Sequence, residues 1–96
     1  MPAYVIAEIQ VNDPAKYEGY KKLTPGTLSM YGGKFIVRGG QTETLEGDRK
    51  THRVVVLEFP TYEKAQAWYN SPEYQDAKKI RLEASTGQII LVDGVA

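Results

Sequence analysis

The sequence predicts an α+β fold in which one sheet of four strands is covered on one face by helices. Three observations support this prediction: four segments alternate as strands do, two longer segments have helical spacing, and the order is β-α-β-β-α-β. A chain of 96 residues without a repeat or linker fits a single domain spanning residues 1–96.

The strands are predicted from alternating apolar residues and from the turn signals at their ends. Their expected ranges are Ala3 to Val11, Lys34 to Arg38, Arg53 to Phe59 and Gln88 to Val92. Gly39-Gly40 indicates a bulge or a close backbone approach after the second strand. Thr42 to Leu45 is expected to extend that strand.

Both helical segments are predicted to be interrupted once. Asp13 is the expected N-cap of the first segment, and Pro25-Gly26 is expected to break it, with Thr24 capping a second piece. Thr61 caps the second segment, which restarts at Ser71 and is expected to end at Thr86-Gly87. This order is that of the ferredoxin-like, split β-α-β-β-α-β fold, whose four-stranded antiparallel sheet leaves one face uncovered.

Strand alternation predicts which side chains lie on the uncovered face, and it assigns Phe35 and Val37 to the helices. The side chains expected to face outward are Tyr4, Ile6, Glu8, Gln10, Lys34, Ile36, Arg38, His52, Val54, Val56 and Glu58. Aliphatic residues grouped on such a face are typical of an interface. The sequence therefore predicts a homodimer with a cavity between two facing sheets.

Composition excludes several classes of partner. The formal net charge is zero, from 12 basic and 12 acidic residues that are interleaved, so we expect no nucleic-acid binding. The chain has no cysteine, which excludes a disulfide or a thiolate nucleophile. Neither a signal peptide nor an apolar run long enough for the membrane is recognised, and a cytoplasmic location is expected.

Motifs for metals and organic cofactors are absent from the sequence. His52 is the single histidine, and no HExxH, nucleotide-binding glycine loop or GxSxG motif occurs. We therefore expect no metal and no cofactor.

Arg38 and Glu58 are the first candidates for a ligand site, because alternation places both on the outward face of neighbouring strands. Arg38 could bind a carboxylate through its forked guanidinium, or it could pair with Glu58 or Glu8. Glu58 is the best catalytic candidate if it is desolvated, since it could then exchange a proton. The alternative for Glu58 is an ion pair that fixes the register of a dimer.

Four further residues are candidates with simpler alternatives. His52 could be a ligand contact or a solvated strand-end residue. Tyr69 and Tyr74 could present hydroxyl groups to a ligand, whereas the neighbouring Trp68 is expected in the core. Arg81 could bind a ligand or could interact with the carboxyl end of its helix.

Four runs of the sequence together resemble one bacterial family. They are YGGKFIVRGG (31–40), LEGD (45–48), VVVLEFP (54–60) and AWYNSPEYQDAKKIR (67–81). Their combination resembles DUF1330, a family without a general assigned activity. The resemblance implies the dimeric α+β barrel architecture, whose members include cofactor-free monooxygenases of antibiotic biosynthesis and small isomerases or decarboxylases. It also favours a site role for Arg81. Thr24-Pro25-Gly26-Thr27 departs from the alanine-rich first helix typical of the family.

Two function classes follow from these observations. The first is a dimer that binds a small acidic or oxygenated organic ligand in an inter-sheet cavity, as a cofactor-free acid–base enzyme or a binding protein. The second is a non-catalytic structural or regulatory dimer module. An enclosed pocket with convergent polar groups would distinguish the first class from the second.

Overall fold

The computed structural model describes residues 1–95, and Ala96, the last residue of the predicted domain, lies outside the described residues. The elements in chain order are β1 (Ala3–Val11), α1 (Pro14–Ser29), β2 (Lys34–Arg38), β3 (Arg53–Phe59), α2 (Tyr62–Tyr69), α3 (Pro72–Ala84) and β4 (Ser85–Asp93). The predicted order and the bounds of the first three strands are confirmed.

The four strands form one antiparallel sheet in the order β2-β3-β1-β4. The central strand β1 pairs with β3 from Ala3 opposite Phe59, and with β4 as far as Val11 opposite Ser85. Alternate residues of β1 are buried against the helices, which fixes the register because a shift by one residue would turn the apolar side chains outward. The arrangement is the ferredoxin-like fold.

Short polar side chains start all three helices, as expected. Asp13 accepts a hydrogen bond from the backbone N–H of Lys16 at 3.1 Å, and Thr61 accepts one from that of Lys64 at 3.1 Å. Ser71 does the same for α3, at 3.2 Å. These bonds satisfy amide groups that have no partner within the first turn of a helix.

Helix α1 runs through Pro25 without a break, so the expected interruption is wrong. A proline inside a helix removes one hydrogen bond, and packing of the last turn can compensate for that loss. Leu28 is 2% exposed, and the Thr27 hydroxyl oxygen accepts a hydrogen bond from Trp68 Nε1 at 3.0 Å. The final turn of α1 is therefore held by contacts with the rest of the protein.

An aromatic cluster forms the core between the sheet and the helices. The ring of Trp68 lies 4.1 Å from that of Tyr74 and 5.4 Å from that of Phe59, measured between centroids. All three side chains are essentially inaccessible to solvent. The expectation that Trp68 belongs to the core is confirmed.

A β-bulge in β2 changes the faces assigned to its last residues. Phe35 lies opposite Leu57, but Val37 lies opposite Val56, so Ile36 is an extra residue in the strand. As a result Val37 is on the outward face and Arg38, opposite Val55, is on the helix face. Both expectations from strict alternation were wrong for this reason.

Two further boundaries differ from expectation. Residues 42–45 form no strand; they are exposed and belong to the irregular connection between β2 and β3. Strand β4 begins directly after α3, so Thr86-Gly87 lies inside β4 rather than at the end of the helix. The hydrogen bonds that pair this part of β4 with β1 outweigh the local tendency of glycine to end a helix.

Candidate functional site

A narrow cavity lies between the helices and the inner face of the sheet. Its volume is about 30 Å³, and apolar side chains from all four strands line its sheet side. The polar groups that line it are Tyr17, Tyr20, Lys21, Thr24, Arg38, Arg53 and Arg81. Three of these residues are arginines, and none of the lining residues is an aspartate or glutamate.

The cavity adjoins an open basin at the surface. Lys21, Arg38 and Arg53 line both, and Lys22 and Glu18 complete the basin, whose volume is about 420 Å³. Glu18 pairs with Lys21 at 3.2 Å. The basin therefore carries four cationic side chains and one carboxylate, and the carboxylate is already paired.

Arg81 is held deep in the site by a pair of tyrosines. It is 8% exposed, and its Nε–H donates a hydrogen bond of 3.3 Å to the hydroxyl of Tyr74. That hydroxyl is 2.9 Å from the hydroxyl of Tyr20. Burial lowers the pKa of the Arg81 guanidinium, but the neighbouring tyrosines outweigh it, so the net pKa lies above its ordinary value. Arg81 is therefore a permanent cation.

The hydroxyl groups in the cavity remain protonated at neutral pH. Burial raises the pKa of Tyr20 well above its ordinary value, and the Tyr74 hydroxyl raises it further. Burial also raises the pKa of Tyr17, although the nearby Arg53 guanidinium partly offsets the effect. Both tyrosines can donate hydrogen bonds, but neither can remove a proton near pH 7.

Arg53 carries a buried polar atom without a partner. Its guanidinium carbon lies 5.8 Å from the centroid of the Tyr17 ring, and its Nε is buried and forms no hydrogen bond within residues 1–95. Gly39 packs against the same guanidinium, which would collide with a Cβ at that position. An unsatisfied buried donor is costly, so Arg53 is held in this position at a cost to stability.

Arg38 lies at the mouth of the cavity, on the face opposite to the one expected. Its guanidinium carbon is 4.2 Å from the centroid of the Phe35 ring, and its Nη2 donates a hydrogen bond of 3.1 Å to the backbone carbonyl of Lys21. Both contacts are on the helix side of the sheet. The bulge at Ile36 places it there.

Glu58 remains on the outward face, so the structure does not bring Arg38 and Glu58 together. Glu58 pairs instead with Lys34 across β2 and β3, at 3.3 Å, and its side chain is 28% exposed. The expectation that Arg38 pairs with Glu58 or Glu8, or shares a cavity with Glu58, is therefore wrong. Glu8 pairs with Arg49 at 3.2 Å.

The remaining candidates occupy separate places. His52 is exposed and lines a shallow depression with Glu8 and Arg49 outside the cavity. Tyr69 lines a groove between α2 and β4, with Lys78 Nζ 4.6 Å from its ring centroid. Tyr74 is fully buried and its hydroxyl is engaged by Arg81 and Tyr20, so it cannot present that group directly to a ligand. Of the six predicted ligand contacts, Arg38 and Arg81 line the cavity.

The sequence contained signals for the cavity residues that were missed. Tyr17, Tyr20 and Thr24 follow one another at helical spacing on the face of α1 that meets the sheet. Arg53 has the same parity as Val55 and Leu57, which predicts that it faces the helices. A basic residue on an otherwise apolar strand face is an unusual feature, and it would have identified Arg53.

The outward face of the sheet is largely aliphatic. Its apolar side chains are Ile6, Ile36, Val37, Val54, Val56, Ile90 and Val92. Several of them are well exposed, including Ile36 at 48% and Ile90 at 48%. A continuous apolar sheet face of this kind is characteristic of a surface that is covered by a partner.

Residues 1–95 contain neither a cluster of metal-binding side chains nor a helix able to span a membrane. No group of three or more His, Asp or Glu side chains is placed there to hold a metal ion. The helices of that part of the chain are all too short or too polar to cross a bilayer.

Comparison with solved structures places the fold among ferredoxin-like proteins. A protein of unknown function from Rhodopseudomonas palustris superposes with a TM-score of 0.79 at 18% identity, over 99% of this chain and 83% of that one. A dimeric ferredoxin-like protein of unknown function from Jannaschia sp. CCS1 has a TM-score of 0.70 at 14% identity, covering 100% of both chains. SnoaB, a cofactor-independent oxygenase from Streptomyces nogalater, has a TM-score of 0.66 at 15% identity, over 99% and 94% of the two chains.

Sequence comparison identifies the family. No curated protein is significantly similar in sequence to this chain. The model of one family, described as a domain of unknown function, matches residues 2–95, nearly the whole chain. The chain therefore belongs to the DUF1330 family, as the four sequence runs predicted.

Proposed function

We propose that this protein binds a small organic anion, with a carboxylate, enolate or phenolate group, at the cavity between the helices and the sheet. One observation carries the proposal: three arginine side chains converge on a cavity whose lining contains no carboxylate. Cations without counter-charges are costly to hold in a partly buried site. An anionic ligand would supply the missing charge.

Two sets of side chains in this site would bind different parts of the ligand. Arg38 and Arg53 line both the basin and the cavity, where they would meet the anionic group as it enters. The aromatic rings of Tyr17 and Tyr20, with the aliphatic floor of the sheet, would receive an apolar or planar body. The basin has room for such a ligand, whereas the cavity holds about one water molecule, so the side chains at the mouth move apart when the ligand enters.

The hydroxyl pair adds a donor that faces the ligand. Arg81 donates to Tyr74, and if Tyr74 then donates to Tyr20, the Tyr20 hydroxyl hydrogen is free to point into the cavity. Donors fixed in this way stabilise charge on a ligand oxygen. The lining offers no carboxylate or histidine as a general base, so the contribution of this site to a reaction would be to stabilise an oxyanion of the ligand.

We also propose that two copies of the chain pair through the aliphatic outward face of the sheet. The support is the exposed apolar surface of that face and the description of the Jannaschia neighbour as a dimer. A dimer of this kind would cover the outward face and leave the mouth of the cavity, on the helix side, open to solvent. Glu58 and His52 would lie at or near the interface rather than in the ligand site.

A second function is favoured by the small volume of the cavity. A volume of about 30 Å³ is what a well-packed module without a ligand would have. In that case the protein serves as a structural or regulatory dimer, and Arg53 and Arg81 only contact aromatic side chains. The two functions differ in whether the cationic groups bind an anion.

The test uses a matched pair of small probes. Salicylate and its neutral amide, salicylamide, are titrated against isotopically labelled protein at low and high salt, with chemical shifts as the readout. We expect salicylate to bind saturably, to shift resonances of α1 and β3, and to weaken with salt, since charge attraction is screened. Equal binding of both probes, or no saturable binding of either, would refute the proposal and favour the structural module.

A further inference from the structure

Pro25 lies four residues after Lys21 in α1, and this spacing determines which hydrogen bonds the Lys21 carbonyl can accept. In an α-helix the carbonyl of residue 21 accepts a bond from the N–H of residue 25. Proline has no N–H, so this bond cannot form. The proline ring also crowds the carbonyl four residues before it and turns it away from the helix axis.

That carbonyl is the one contacted by Arg38. The Arg38 Nη2 donates to it at 3.1 Å from the neighbouring edge strand β2, seventeen residues further along the chain. The face of the Arg38 guanidinium also lies over the Phe35 ring, at 4.2 Å. Two contacts therefore hold the side chain of Arg38, which is an exposed residue at the end of a strand.

We infer that Pro25 is a positioning residue: by leaving the Lys21 carbonyl without its helical donor, it creates the acceptor that holds Arg38 at the mouth of the anion site. This inference rests on the proposed function for its consequence, but the positioning itself depends only on the geometry of α1 and β2. One Nη2–H is used by the carbonyl, which leaves four N–H donors on a guanidinium that lines the basin together with Arg53. An arginine fixed in this way loses less conformational entropy when it binds an anion.

The bond from Arg38 also makes an interior proline compatible with a continuous helix here. The lost bond is replaced by one from a charged donor, which is stronger than a neutral bond. Thr24, the residue before the proline, donates its hydroxyl to the Tyr20 carbonyl at 2.7 Å. The carbonyl groups of Tyr20 and Lys21 in this turn thus accept hydrogen bonds from the side chains of Thr24 and Arg38.

The test compares Pro25→Ala with Pro14→Ala, which changes a proline at the start of the same helix, where no helical bond is lost. Pro25→Ala restores an N–H donor to the Lys21 carbonyl. Measured by ¹⁵N relaxation without any ligand, we expect the Arg38 Nε–H order parameter to fall to below about 0.6 in Pro25→Ala and to remain high in Pro14→Ala. An unchanged order parameter in Pro25→Ala would overturn the inference.

The binding experiment tests the consequence separately. Salicylate affinity is expected to fall about threefold to tenfold in Pro25→Ala. The double variant Pro25→Ala/Arg38→Gln is expected to bind salicylate as weakly as Arg38→Gln alone, because Pro25 acts through Arg38. If Pro25→Ala expresses poorly, Pro25→Ser restores the same N–H. If the Arg38 order parameter falls in Pro25→Ala but the wild-type protein does not bind salicylate, the anion site is refuted and the positioning role of Pro25 is kept. If the losses of affinity add in the double variant, positioning through Arg38 is refuted.

Discussion

The Nε–H of Arg81 donates to the hydroxyl of Tyr74 at 3.3 Å, so a buried cation is held by a neutral partner. No carboxylate within residues 1–95 forms an ion pair with Arg81. A buried cation without a counter-charge contributes little to stability and often reduces it. Such an arrangement is easier to explain by a ligand than by the needs of the fold.

Arg81→Met should therefore separate binding from stability. We expect salicylate affinity to fall at least about tenfold, because a buried cation is lost. The free energy of unfolding should remain within about 1 kcal/mol of the wild type, since the desolvation cost of the charge is lost too. Urea unfolding and probe titration measure the two effects. Lys79→Met, on the same helix but exposed, is the control that should change neither. A large loss of stability with normal binding would assign Arg81 a structural role.

Tyr20→Phe should alter how stability depends on pH. The pKa of Tyr20 is raised in the folded protein, mainly by burial, above its ordinary value of 10.0. Its contribution to stability is therefore fully present below about pH 10 and decreases as pH rises towards the folded-state pKa, because only the unfolded chain releases the proton. Tyr20→Phe should lose about 1 kcal/mol near pH 7 and decline less steeply above pH 10 than the wild type.

Urea unfolding between about pH 7 and about pH 11 gives both curves. Tyr62→Phe, at the start of α2, is the matched control for removal of a tyrosine hydroxyl outside the cavity. Parallel curves for wild type and Tyr20→Phe would mean that the Tyr20 hydroxyl ionises as readily in the folded protein as in the unfolded chain.

Val56→Asp should dissociate the proposed dimer. Val56 lies in the middle of the outward face, opposite Ile6 on β1 and Val37 on β2. A carboxylate buried there without a partner is costly, and dissociation exposes it to water. Sedimentation should change from dimer to monomer at micromolar concentration. Leu82→Asp, at an exposed apolar position on α3, should remain dimeric. Sedimentation of the wild-type protein as a monomer at micromolar concentration would refute the proposed dimer.

Glu58→Gln should leave anion binding unchanged, in contrast to Arg38→Gln. Glu58 and Arg38 lie on opposite faces of the sheet, and the partner of Glu58 is Lys34, whose side chain is 68% exposed. An exposed pair of this kind contributes less than about 1 kcal/mol. Salicylate titrations of the two variants test the difference. An equal loss of salicylate affinity in Glu58→Gln and Arg38→Gln would indicate that Glu58 belongs to the ligand site.

The pair Arg38 and Glu58 also illustrates how far sequence reasoning could reach. The strands, the caps and the order of elements were predictable because alternation and capping are local properties. The face of Arg38 was not, because one extra residue in β2 reverses all assignments after it. The glycine signal pointed to positions 39 and 40, whereas the bulge is at Ile36, where no glycine or proline occurs.

The residues that line the cavity were predictable only in part, because local patterns do not encode contacts between elements. The parity of Arg53 and the helical spacing of Tyr17 and Tyr20 identify them in principle, since β3 and α1 are regular in this region. The hydrogen bond from Arg38 to Lys21 joins two elements whose relative placement no local pattern encodes. Pro25 was visible in the sequence, but its effect on α1 depended on the packing of Leu28 and Thr27.

Gly39→Ala should weaken anion binding through Arg53. Gly39 has a φ of 68°, in the left-handed region, and its N–H donates to the carbonyl of Val54 at 2.9 Å. A Cβ at this position would meet the Arg53 guanidinium, so the Arg53 side chain has to move from its place in the lining of the cavity. We expect salicylate affinity to fall severalfold, with an added loss of stability of about 1 kcal/mol from the strained backbone.

Two comparisons separate displacement of Arg53 from backbone strain. Asparagine tolerates the left-handed conformation but carries a Cβ, so Gly39→Asn should regain stability without regaining affinity. Gly40→Ala is the neighbouring control, since a Cβ there would meet nothing within 4 Å. In an Arg53→Gln background, Gly39→Ala should cause no further loss of affinity, because the residue it displaces no longer provides the charge. A further loss in that background would show that Gly39 affects the site by another route.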